Sequence, residues 1–214
     1  MRLEIVAEKI TDLLEKQGLV EPDQAEVYVY GMTLMISSTA TLLATLLLGF
    51  VFHVINSVLV FLLFFVPVRI FSGGYHSSSY LRCFLTFMLM LGSFIAIQRN
   101  LPERAVLPSI LITSLISLFL IFKFSPVSHP NAPIRESDWF RFKRLSRIIC
   151  IIEISSIYLI LIFARENIGI NKLLLSAAVG LLYASILIFV GWIQILARKE
   201  VTEKWCTRPR FWGH

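Results

Sequence analysis

Six apolar stretches run along the chain, at about 29–52, 54–71, 80–97, 105–123, 147–164 and 172–197, separated by polar or charged breaks. Within each the apolar residues are continuous rather than alternating at period two, so helices are predicted and an outer-membrane barrel is not. A helix needs about 20 residues to cross a hydrocarbon layer of about 30 Å, with a usual range of about 17–25. All six qualify, the second only if its helix continues through Pro67 and Arg69. That short segment is the weakest of the six and reads as a tilted, shielded or partly broken span. Upstream, Leu3, Val6, Ile10, Leu13 and Leu14 share one helical face, with Glu4, Glu8, Asp12 and Glu15 elsewhere. Such an amphipathic helix fits the membrane interface, the underside of the bundle or a soluble cap. Gly18 is its stop, and Glu21-Pro22-Asp23 starts the next helix. The expected fold is all-α: a polytopic integral membrane helical bundle of about six transmembrane helices with an N-terminal amphipathic helix. It forms one domain, with 1–28 a cytoplasmic or interfacial segment, 29–197 the bundle and 198–214 a cytoplasmic tail.

Composition agrees. Of 214 residues, 57% are hydrophobic and 16% charged, against about 45–50% and about 25% in an average soluble chain. The net charge of +6 has a simple origin in cationic loops held on the cytoplasmic side. With the N-terminus inside, Arg99, Arg104, Arg165 and Lys172 fall outside, and the rest of the 20 Lys and Arg residues fall inside. Both termini and the connections 69–82 and 124–147 are therefore expected in the cytoplasm. No nucleic-acid-binding motif accompanies the basic residues, so nucleic acid is not an expected partner. The first 18 residues are charged throughout and predict no cleavable signal peptide.

Candidate chemistry concentrates in the connection from Arg69 to Cys83. Gly73 and Gly74 permit positive φ or close backbone approach. Ser77, Ser78 and Ser79 are N-cap candidates for the third span. His76 then precedes that helix and Cys83 lies one to two turns inside it. There the positive end of the helix dipole, with Arg82 adjacent, would favour negative charge on the sulfur. Seven residues of one continuous helix would separate His76 from Cys83 by about 10 Å along the axis. A thiol–imidazole pair therefore requires the loop to fold back over the helix start, which Gly73-Gly74 allows. Taken singly, a cysteine in a membrane helix is a small apolar side chain and a histidine there an interfacial anchor. Cys150 and Cys206 have no neighbouring histidine or glycine turn and read as non-catalytic. With three cysteines and no CxxC, neither a disulfide framework nor a zinc ribbon is indicated. His53, His129 and His214 have no ligand spacing and HExxH is absent, so no metal or other cofactor is expected; P-loop and GxSxG motifs are absent too.

Three further groups stand out. Glu153 is ionisable within the fifth span and could orient His76 or Arg69, pair across helices, or snorkel to the surface. Thr33, Ser37, Ser38, Thr39, Thr41 and Thr45 make the first span unusually rich in hydroxyls. They serve either close helix packing or a polar groove for an extended peptide. The cationic loop 135–147, with Arg141, Lys143 and Arg144, could attract an acidic peptide tail, although a topology signal alone explains it and is the stronger reading.

The pattern RxxxGGxHxxxxxxC, running from Arg69 through Gly73, Gly74 and His76 to Cys83, resembles the accessory gene regulator B family. These are bacterial membrane endopeptidases that process quorum-sensing propeptides. Ser-Pro-Val-Ser-His-Pro-Asn-Ala-Pro-Ile at 125–134 is similar to a second motif of that family, with Ala132 where Lys is common. The resemblance implies a Cys–His peptidase in the bacterial cytoplasmic membrane, with Cys83 as nucleophile and His76 as general base. Arg69 and Gly74 match further motif positions, in support; the reading of the residues themselves adds Gly73 and Glu153, and Arg141, Lys143 and Arg144 as candidate substrate contacts. The resemblance further implies a propeptide with an amphipathic leader and an acidic tail, (thio)lactone formation on the released signal, and a homodimer in the bilayer. The rivals are a peptide exporter or carrier without covalent chemistry, and a scaffold partner of a sensor.

Overall fold

A computed structural model describes residues 3–75, 79–128, 134, 136–164 and 167–206 of the chain. They form seven α-helices: α1 (Leu3–Lys16), α2 (Ala25–Val51), α3 (Ile55–Ser72), α4 (Tyr80–Asn100), α5 (Glu103–Phe124), α6 (Glu136–Ala164) and α7 (Ile168–Cys206). A 3-10 turn at Pro22–Gln24 leads into α2. The six helices from α2 onward are each long and apolar enough to span a bilayer. The chain is thus a multi-pass membrane protein of the expected all-α class. Large apolar side chains such as Leu43, Leu47, Leu89, Ile162 and Phe163 are exposed around the bundle, where lipid covers them.

The helices are not equivalent. In α7, 61% of the most apolar stretch is buried, against 11% in α2 and 17% in α4, so α7 is the axis and α2 and α4 lie at the edge. The cause is side-chain size. Ser176, Ala177, Ala178, Ala184 and Ser185 are buried along α7 and let α3 and α5 lie close on either side. At Gly180 a Cβ would stand 2.5 Å from the Phe61 carbonyl oxygen of α3. Around this seam Phe61 packs on Phe94 at 4.6 Å and stacks with Phe65 at 5.6 Å. Two polar side chains tie α4 to α7: Ser93 Oγ lies 2.7 Å from the Tyr183 hydroxyl, and Gln98 Nε2 donates to Ser176 Oγ and to the Lys172 carbonyl.

The short second span is shielded rather than broken. Helix α3 runs through Pro67 and Arg69 and buries Val58, Phe61, Phe65, Val68 and Ser72. Two expectations shift. Helix α1 does pack on α2, but its most buried positions are Ala7 and Thr11, and Leu13 points outward. Small side chains allow the close approach that the larger leucines would block. The fifth span's helix begins about three turns before the apolar run, because Trp139, Phe142, Leu145 and Ser146 continue one inward face toward Glu136.

Candidate active site

The turn that closes α3 is held from three directions. Gly73 and Gly74 both have positive φ, +66° and +120°, conformations that a Cβ disfavours. From within α3, the Arg69 guanidinium donates to the carbonyl oxygens of Gly73 and Tyr75, gripping both sides of the turn. From α7, the Leu187 carbonyl accepts from the Tyr75 N–H at 2.8 Å. A Cβ on Gly74 would stand 2.6 Å from the Arg69 guanidinium and 2.9 Å from the Leu187 carbonyl oxygen. The matching notch on α7 is Gly191, whose Cβ would stand 2.5 Å from the Gly74 carbonyl carbon and 2.6 Å from the Tyr75 nitrogen. From the α5–α6 connection, the Val127 N–H donates to the Ser72 carbonyl at 2.9 Å, and Gly73 and Val127 form a parallel β-bridge. Ser125 Oγ donates to Ser146 Oγ of α6 at 2.8 Å and anchors that connection. The two motifs read from the sequence thus meet at Gly73.

Helix α4 opens beyond this turn. Ser79, with extended backbone, is its N-cap: its hydroxyl accepts from the Arg82 N–H at 3.3 Å. Cys83 is the fourth residue of the helix, so it lies at the end of the first turn, within reach of the positive end of the dipole. Its thiol is exposed and lines a cleft of about 760 Å³ between α2, α3 and α4. Arg69 and Tyr75 reach the same cleft, so the sulfur and the clamped turn share one space. His76, Ser77 and Ser78 lie outside the described residues, as do His129 and Pro130 of the second motif.

The hydroxyls of the first span divide by face. Ser37, Ser38, Thr41 and Thr45 line the cleft opposite Cys83. Thr33 is buried, donating to the Val29 carbonyl at 2.7 Å, and Thr39 is exposed away from the cleft. Glu153 is buried in α6 and does not line the cleft; its Oε2 has no hydrogen-bond partner among the described residues. The Arg69 guanidinium meets turn carbonyls, not this carboxylate. Cys150 is fully buried in the apolar core, as a packing cysteine should be. Arg141, Lys143 and Arg144 stand on the first turns of α6 rather than in a loop, because the helix starts at Glu136. Phe142 reaches Phe71 of α3 at 6.1 Å, which puts this cationic turn at the same end of the bundle as Gly73. No cluster of potential metal ligands occurs among the described residues. Val127, Leu187 and Gly191 were not singled out from sequence. A glycine near the end of a long apolar run was the available signal for Gly191.

An exposed thiol at a helix start, in a largely apolar cleft beside a rigidly held turn, suits acyl transfer with restricted access of water. The sequence model described as accessory gene regulator B matches residues 7–195. AgrB-like protein 2 of Clostridium perfringens (strain 13 / Type A) is 28% identical over 212 residues, covering 94% of this chain and 96% of that protein. An AgrB-like protein of Clostridium perfringens (strain SM101 / Type A) is 26% identical over 216 residues, with the same coverage, 94% and 96%. No solved structure matches the chain.

Proposed function

Because the chain belongs to the accessory gene regulator B family, we propose that it is a membrane-embedded cysteine endopeptidase that processes a quorum-sensing propeptide. The observation that carries this reading is the exposed Cys83 thiol in the wall of the cleft, beside a glycine turn gripped by Arg69. In this reading both termini and Cys83 face the cytoplasm, and the protein works as a homodimer in the bacterial cell membrane. The substrate carries an amphipathic leader and an acidic tail.

His76 takes the Cys83 proton, and the thiolate attacks a peptide carbonyl on the C-terminal side of the signal segment. The C–N bond breaks, the new amine takes the proton from His76, and the tail leaves. The remaining peptide is held as a thioester on Sγ. A Cys or Ser side chain of the same peptide then attacks that carbonyl. This closes a thiolactone or lactone ring and returns the Cys83 thiol. Water would discharge the thioester, so a sulfur seated in an apolar cleft favours ring closure over hydrolysis. Arg69 acts as a positioning residue, two of its five N–H donors being engaged by the turn.

The test uses the purified chain in lipid vesicles with synthetic propeptides, read by mass spectrometry. A Cys83 adduct and a released C-terminal tail are expected, both lost in Cys83→Ala and His76→Ala. A carrier without covalent chemistry would move peptide unchanged in Cys83→Ala, and tail release that survives Cys83→Ala would defeat the peptidase reading.

A further inference from the structure

The cleft beside Cys83 has two unlike walls. On α4 it runs from Cys83 past Phe87 to Met90, and on α2 it presents Ser37, Ser38, Thr41 and Thr45. Seven helical residues from Cys83 to Met90 cover about 10 Å, the length of about three residues of extended chain. Thr41 gives its hydroxyl proton to the Ser37 carbonyl at 2.8 Å, and Thr45 gives its own to the Thr41 carbonyl at 2.7 Å. With its proton engaged, the half-buried Thr41 oxygen keeps acceptor capacity for a backbone N–H, whereas Thr45 is fully buried. Arg69 is the cationic side chain among the described lining residues, which include no carboxylate, and its guanidinium is engaged by the Gly73 and Tyr75 carbonyls. A cationic group entering the cleft would meet no carboxylate among the described lining residues and would stand near the Arg69 charge.

We propose that the hydroxyl face of α2 is the specificity wall for the residues on the acyl side of the scissile bond. It accepts about three uncharged residues with apolar side chains, whose backbone amides donate to Ser37, Ser38 and Thr41. The inference rests on the peptidase reading, which makes Cys83 Sγ the atom to which the acyl group is bonded and so places that group in the adjoining space. Direction follows from charge. The cationic turn of α6 shares the end of the bundle with Gly73, so a polar or acidic leaving segment lies toward it. The acyl side then runs the other way, between α2 and α4.

The probes are tripeptidyl chloromethyl ketones, Ala-Ala-X with X as Gly, Leu, Phe or Lys, applied to the full chain in lipid nanodiscs. Cys83 Sγ displaces chloride: a C–S bond forms, the C–Cl bond breaks, and the thiol proton passes to solvent. Peptide mapping gives the Cys83 alkylation rate, and iodoacetamide gives the intrinsic reactivity of the same thiol. The Leu and Phe probes are expected to react at least about tenfold faster than the Lys probe. In Ser37→Leu/Thr41→Leu, which fills the wall, the Phe-to-Gly rate ratio should fall at least about tenfold with the iodoacetamide rate unchanged. Thr39→Leu, on the far side of the same helix, should match the parent chain. Should the filled variant misfold, Ser38→Ala/Thr41→Val removes two of the three hydroxyls without adding bulk and should slow all peptidyl probes by up to about tenfold, sparing iodoacetamide. An unchanged Phe-to-Gly ratio in the filled variant, or peptidyl rates unaffected by hydroxyl removal, would overturn the proposal. Tail release from a propeptide with unselective labelling overturns the specificity wall and leaves the peptidase standing; absence of tail release from the parent chain overturns both.

Discussion

Replacing Gly191 by Ala probes whether α7 sets the position of the candidate catalytic turn. The added Cβ would stand 2.5 Å from the Gly74 carbonyl carbon and 2.6 Å from the Tyr75 nitrogen, while ordinary contact begins at 3.4 Å. Both obstructed atoms are backbone, so no side chain can swing aside, and relief requires the turn to move by about 0.9 Å. That movement stretches the 2.8 Å bond from the Tyr75 N–H to the Leu187 carbonyl and shifts the carbonyls held by Arg69. Overpacking of this kind costs about 1–3 kcal/mol, which a bundle of six spans can absorb. The chemical consequence is larger, since a displacement of about 1 Å at a reacting centre can lower a rate by about 10²-fold. The assay is the single-turnover rate of tail release per folded molecule, with thermal unfolding measured in the same lipid. Gly92→Ala is the matched control, because a Cβ there meets no atom within 4 Å. Gly191→Ala is expected to fold and to lose about two orders of magnitude in rate, and Gly92→Ala to keep the parent rate. If Gly191→Ala retained activity within about threefold of Gly92→Ala, the turn would not depend on this notch and the positioning argument would be wrong.

Three shorter tests follow from the same geometry. Arg69→Lys replaces a planar fork that holds two carbonyls by a point charge; losing one charged hydrogen bond, about 1.5–3 kcal/mol, should lower tail release by about ten- to hundredfold with helical content unchanged by circular dichroism. Gln98→Ala removes the donor shared by Ser176 and Lys172 and should lower stability by about 0.5–1.5 kcal/mol, read by unfolding in bicelles, with little change in iodoacetamide labelling of Cys83. Arg141→Gln/Lys143→Gln/Arg144→Gln should raise KM severalfold for a propeptide with an acidic tail and weaken its salt dependence, leaving KM for a neutral-tailed peptide unchanged; equal effects on both peptides would make these residues a topology signal alone.

The bundle was legible in the sequence because each span is a continuous apolar run, and length alone separates such a run from a strand. Where α6 begins was not, since Arg141, Lys143 and Arg144 read as a charged loop while Trp139, Phe142 and Leu145 were carrying the helical period among them. Which helix lies at the centre was also hidden: α7 is about as apolar as its neighbours, and only the run of Ser176, Ala177, Ala178, Gly180, Ala184 and Ser185 distinguishes it. Gly73 and Gly74 were readable as a place of positive φ or close backbone approach, and the turn uses both. Their partners could not be found in the same way. Val127, Leu187 and Gly191 act through backbone atoms or a missing Cβ, and identity at such positions carries almost no chemical signature. The hydroxyls of α2 were visible as a group, but separating Ser37, Ser38, Thr41 and Thr45 from Thr33 and Thr39 required the neighbouring helices. His76 lies outside the described residues, so its place beside Cys83 is an expectation from the motif.

The unequal packing of the helices explains why a cleft exists where Cys83 stands. In lipid, apolar surface has no hydrophobic drive to pair with other apolar surface, so helices associate where small residues permit contact or polar groups find partners. Helix α7 supplies both, and α3 and α5 close on it. On α4 the polar ties to α7, through Ser93 and Gln98, lie on its second half, whereas Cys83 lies on its first turn. Large side chains, Phe84, Phe87 and Met90, face the space between α4 and α2; they hold the two helices apart instead of interlocking. The hydroxyls of α2 that could have bridged the gap are turned onto their own helix at Thr41 and Thr45. One side of the candidate site is thus bound to the most densely packed part of the molecule through Arg69, Leu187 and Gly191. The opposite side is free to admit a chain. A nucleophile placed at that boundary has a fixed turn behind it and an adaptable groove before it, and tightening the α2–α4 contact with Ser37→Leu/Thr41→Leu should therefore impair substrate entry without altering the turn.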